Sequence, residues 1–98
     1  MSVCEPNTHE TLRRRAHLAA QCAASAVAAR AYIENAVLNA KYGRLDLAVL
    51  SDLRECIRVI ERTVKHAEQC RLRMLRKADR QQCQAIHDKV LEAAHVAR

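Results

Sequence analysis

The chain has no Trp and no Phe, and its aromatic content is limited to Tyr32 and Tyr42. Without large rings each buried position contributes little transfer free energy, so a core built from this sequence is thin. Gly43 is the only glycine and Pro6 the only proline, which leaves few turn signals to divide the chain and no material for a glycine-rich phosphate loop. No strand-turn-helix nucleophile elbow and no HExxH pair occurs, which removes common hydrolase and metalloprotease signatures. A Cys-His pair such as Cys70 with His66 can be drawn, but helical neighbours without oxyanion donors make a poor catalytic site. No enzymatic activity and no cofactor are expected. Long apolar runs are missing as well. No stretch approaches the roughly 18 apolar residues a membrane span requires, and the opening MSVCEPNTHE has neither the basic start nor the apolar run of a secretory signal. These absences predict a cytoplasmic chain without membrane contact.

What remains is alanine, arginine and helical periodicity. Ninety-eight residues amount to a single domain. Half of them are apolar, but eighteen are alanine, and a small domain with so light a core calls for self-association or a permanent partner. A homodimer is expected. The thirteen arginines against four lysines, with abundant alanine, point to a bacterial source of high genomic GC. The five cysteines (Cys4, Cys22, Cys56, Cys70 and Cys83) are odd in number and mostly sit inside helical patterns, which suits free thiols better than a disulfide framework.

Asn7 with Glu10 three residues on has the form of a capping box. From there Leu12, Ala16, Ala19, Ala23, Ala26, Arg30, Ile33, Val37 and Ala40 form an unbroken heptad stripe. Gly43 is the expected left-handed stop after Tyr42. The first helix is therefore predicted over residues 8–42, close to 50 Å long at about 1.5 Å per residue. A second stripe runs Leu50, Leu53, Ile57, Ile60, Val64 and Ala67 and predicts a helix over 47–77. Its phase is lost between Arg76 and Gln82 and restarts, displaced, as Cys83, Ile86, Val90, Ala93 and Ala97. Asp79 with Gln82 offers a new cap for a third helix over 80–97, and a stutter within one continuous helix is the alternative. The fold class is thus all-α, a long antiparallel hairpin with a possible third helix, dimerising into a helical bundle.

Each long helix also carries a flanking stripe: Leu18, Cys22, Ser25, Ala29, Tyr32 and Ala36 on the first, Cys56, Val59, Thr63, His66 and Cys70 on the second. Both are rotated from the main stripe by about 100° in the same sense, which in an antiparallel hairpin brings them to one side. A contiguous apolar face left in water marks an interaction site. The expected partner-binding residues are Cys22, Ala29, Tyr32, Val59, Thr63 and His66.

Two other constellations compete with this face. His66 and Cys70 lie one turn apart, as do Cys83 and His87, and a fold-back near Arg76 would converge all four into a tetrahedral metal site of two thiolates and two imidazoles. The spacing matches no zinc motif, and helical cysteine is more often a small buried hydrophobe. The second constellation is basic. Arg13, Arg14 and Arg15 open the first helix, where positive charge opposes the macrodipole, and pairing about Arg44 would set them opposite Met74. Together with Arg71, Arg73, Arg76, Lys77 and Arg80 they make a tip of eight cations against Glu10 and Asp79, suited to a nucleic-acid backbone or an acidic protein. No recognition helix-turn-helix or aromatic stacking platform accompanies it. In size, helicity, basic charge and lack of cofactor signatures the chain resembles the small helical antiactivators of LuxR-type quorum-sensing regulators. The resemblance is one of overall character, matches no motif and carries over no residue role. It implies a protein that binds a transcription regulator and blocks its dimerisation or DNA contact.

Overall fold

A computed structural model describes residues 8–96. Within them the chain forms two helices, α1 (His9–Tyr42) and α2 (Leu47–Val96), packed as a hairpin. Its longest dimension is 81 Å, which reflects the length of α2 rather than any globular body.

α1 starts one residue later than a capping box at Asn7 would place it. The N-cap is Thr8, in extended backbone, and its hydroxyl accepts from the Thr11 amide at 3.2 Å. Asn7 lies outside the described residues, and Glu10 contributes instead as an acidic residue in the first turn, where it complements the helix dipole. The C-terminus holds a correction. Gly43 has φ −77 and is right-handed, and the left-handed residue is Arg44, with φ 52. The Leu45 amide donates to Ala40 O at 3.0 Å and the Arg44 amide to Lys41 O at 3.2 Å, the paired bonds of a Schellman stop with its left-handed position filled by arginine. Gly43 sits where space is tight. A Cβ built on it falls 3.0 Å from Asn39 O, and the Gly43 amide donates to that same oxygen at 2.8 Å. Asp46 then leads into α2, its carbonyl accepting from the Val49 amide at 3.0 Å.

The main stripes of both helices face each other as the heptads require. Leu12, Ala16, Ala23 and Ala40 are buried, Ala19, Ala26, Ile33 and Val37 half-buried, and so are Leu50, Leu53, Ile57, Ile60, Val64 and Ala67 across the seam. Alanine permits close backbone approach but supplies little area. The buried apolar set therefore contains one large side chain, Leu12.

Arg30 crosses from α1 to reach Glu61 at 3.4 Å, and Arg13 reaches Asp79 at 2.7 Å and Gln82 at 2.8 Å. These contacts show the register. Arg14 lies level with about Ala78 rather than Met74, because the pairing axis falls past Arg44, near Leu45 and Asp46. α1 begins one turn before Arg13, so it accompanies α2 only as far as about Cys83, and the rest of α2 overhangs.

The chain does not turn between Arg76 and Gln82. α2 passes through without interruption, so the third helix over 80–97 is absent and the phase change is a stutter. The segment RKADRQQ contains no glycine or proline and is mostly good helix formers. Asp79, the proposed new cap, is instead held by Arg13. The seam runs through it to Ala78, which is fully buried. Beyond it the apolar stripe moves around the helix.

Candidate functional site

The flanking face combines side chains from the second half of α1 and the first third of α2. The register shown by Arg30 and Glu61 places Tyr32 about level with Val59 and Ile60, and Ala29 about level with Thr63. Tyr32 is 80% exposed and Val59 44%, while Cys22, Ala29, Thr63 and His66 are also exposed. The predicted set is thus solvent-facing. The Thr63 hydroxyl turns back to donate to Val59 O at 2.9 Å, which hides its donor in the helix and leaves its methyl for contact. Leu18, on the same stripe, is more than half exposed.

The basic residues divide into two groups. Arg13 is bound to Asp79 and Gln82, and Arg71 grips Glu68 through both Nε and a terminal nitrogen at 2.9 Å. Arg14, Arg15, Arg76, Lys77 and Arg80 have no ion-pair partner among the described residues, and Arg73 has only a 3.4 Å contact to Cys70 Sγ. Arg73, Arg76 and Arg80 share one helical phase, roughly opposite Ala78 at about 100° per residue, and extend a ridge that Arg58, Arg62 and Lys65 begin. The eight cations of the expected tip therefore do not share one surface: Arg13, Arg14 and Arg15 open α1, while Arg73, Arg76 and Arg80 lie on the side of α2 away from Ala78, the residue buried against α1.

The four metal candidates do not meet. Cys70 and Cys83 are thirteen residues apart on one unbroken helix, about 20 Å at 1.5 Å per residue, so His66 and Cys70 cannot share an ion with Cys83 and His87 of the same chain. Among the described residues no group of three or more metal-ligating side chains exists. Cys22, Cys56, Cys70 and Cys83 are free thiols, and Cys4 lies outside the described residues. At Glu55 a hydrogen bond from Arg58, then its charge and that of Arg62, hold the carboxyl below the usual carboxylate range. No helix among the described residues is long and apolar enough to cross a membrane.

The displaced stripe Cys83, Ile86, Val90 and Ala93, for which the sequence allows a third helix or a stutter, lies on the continuous α2 beyond the reach of α1. All four are exposed. The signal that sets the extent of the overhang is the start of α1 at His9, which leaves α2 unaccompanied past about Cys83. No protein-family model matches the chain, and no curated protein or solved structure does so.

Proposed function

We propose that this chain is a dimeric regulatory protein that acts by binding another protein through the flanking face centred on Tyr32, Val59 and Thr63. The observation that carries the reading is the level pairing of two large, solvent-facing apolar side chains, Tyr32 and Val59, on one flank of the hairpin. Interface anchors of this kind, near the centre of a patch, hold most of the energy of association. The partner class that fits the chain's overall character is a transcription regulator sequestered as an antiactivator would sequester it. The reaction is association alone, in a cytoplasmic setting, and no bond is made or broken.

Affinity recovery from the native cytosol, comparing variants, tests the reading. Tyr32→Glu or Val59→Glu should abolish recovery of the partner, since loss of apolar contact and desolvation of a carboxylate together cost more than about 2 kcal/mol. Arg13, Arg14 and Arg15 changed together to Gln should leave the complex largely intact while slowing its formation with an acidic partner. Normal binding by the two glutamate variants, with loss in the arginine triple, assigns the site to the arginines at the start of α1.

A second reading is favoured by Arg14, Arg15, Arg76, Lys77 and Arg80, which have no ion-pair partner among the described residues: phosphate-backbone contact with nucleic acid. Salt separates the two. Phosphate contact weakens steeply as ionic strength rises, whereas an apolar face is largely insensitive.

A further inference from the structure

The overhang of α2 carries an apolar stripe that nothing among the described residues covers. Ile86 is 55% exposed and Val90 61%, with Cys83 and Ala93 completing spacings of three, four and three. That alternation is the signature of a helix-packing seam, so the complementary surface is another helix. The stripe is rotated about 100° around α2 from the buried Ala78, at 100° per residue. An occupant therefore approaches from outside the hairpin and does not compete with α1.

Charge distribution selects the occupant. Lys89 and Arg98 balance Asp88 and Glu92 within residues 81–98, so the whole formal net charge of +6 resides in residues 1–80. An acidic partner is drawn to that basic region. The overhang is the neutral stretch on which two copies of a basic chain meet without like-charge repulsion. We propose that two copies pair antiparallel through this overhang, Ile86 of one against Val90 of the other and Cys83 against Ala93. The inference rests on the dimeric reading above and deepens it: with the seam in the overhang, the Tyr32 and Val59 face of each hairpin stays free for a different protein.

The antiparallel sense follows from electrostatics. It opposes the two helix dipoles and holds the basic hairpins at opposite ends of the dimer. It also brings Val96, near the partially negative C-terminal end of each α2, level with Arg80 of the other copy, a residue without an ion-pair partner among the described residues. A closed two-fold pairing of a single self-complementary patch results.

Light scattering on the full chain, from low to high micromolar, tests the assignment. The mass should climb from 11.1 kDa toward twice that value with concentration. Ile86→Glu combined with Val90→Glu should hold it at the monomer mass throughout while leaving the hairpin's thermal midpoint unchanged, because both side chains are already in water in the monomer. Tyr32→Glu should dimerise as the natural chain does. A wild-type chain that stays monomeric overturns both the dimeric reading and the assignment. A dimer that survives the Ile86 and Val90 changes, or is lost in Tyr32→Glu, overturns the assignment alone. Orientation is read from Cys83 by peptide mapping after mild oxidation. Antiparallel pairing keeps the two Cys83 thiols about 15 Å apart, ten residues at 1.5 Å each, and a dominant Cys83–Cys83 link overturns it.

Discussion

Arg44 occupies a backbone conformation that glycine takes without cost, while the chain's only glycine sits one position earlier for a different reason. A left-handed residue with a Cβ is strained by roughly 1 kcal/mol. Arg44→Gly should therefore stabilise the hairpin by about 0.5 kcal/mol, after the extra entropy of glycine in the unfolded chain is subtracted. Gly43→Ala should act in the opposite direction, because its Cβ meets the Asn39 carbonyl and the last turn of α1 must shift. Urea midpoints of the two variants on either side of the natural chain would bear this out. The sequence located the stop but not which residue is left-handed. Residue type alone favours glycine there, and the crowding at Asn39 O exists only once the turn has closed. Glu55 adds a small pH dependence at the same scale. Its lowered folded pKa means the contribution is present above the ordinary glutamate pKa and is lost as pH falls through the lowered folded value. Glu55→Gln should thus be slightly less stable than the natural chain at neutral pH and equal to it in strong acid, by paired thermal melts.

At the scale of the helix, the hairpin was legible because a heptad repeat is preserved from Leu12 to Ala40 and from Leu50 to Ala67, and both stripes are the ones that face inward. Leu12 is the large side chain that seam buries, so Leu12→Ala should cost about 2–3 kcal/mol, near the low end for buried leucine because an edge site collapses easily. Ala78→Leu should also destabilise, by about 1–3 kcal/mol, since α1 passes close over that position. By contrast Arg13→Ala removes an exposed ion pair and should cost less than about 1 kcal/mol. Chemical denaturation ranks the three. The course of α2 past Arg76 was not legible. The sequence records that the apolar phase changes, but a stutter and a turn leave the same trace, and the choice depends on how strongly the intervening residues favour helix. The paired Cys and His motifs failed for the same reason: each pair shares a helix face, but their convergence needed a reversal that the segment does not make.

The whole molecule is a rod with a light seam, a bare apolar flank toward the hairpin turn, arginines at the start of α1, a basic ridge on the far side of α2 and an apolar overhang. Its composition foretold the thin core, and the chain's light seam is the physical reason to expect further association. The overhang could not be foreseen, because its existence depends on the difference in helix lengths and on the register that the Arg13 and Arg30 contacts reveal. Alkylation under denaturing, non-reducing conditions should count five free thiols, the four free in the hairpin and Cys4. A count of one or three would mean internal bridges.

The proposed division of labour between surfaces is tested most directly by photocrosslinking in the native cytosol, with a benzophenone side chain replacing Val59, Ile86 or Arg76 in turn. The proposal predicts a discrete adduct with a different protein from position 59, an adduct of twice the chain mass from position 86, and no discrete protein adduct from position 76. A self-adduct from position 59, or a heterologous or nucleic-acid adduct confined to position 76, would contradict it.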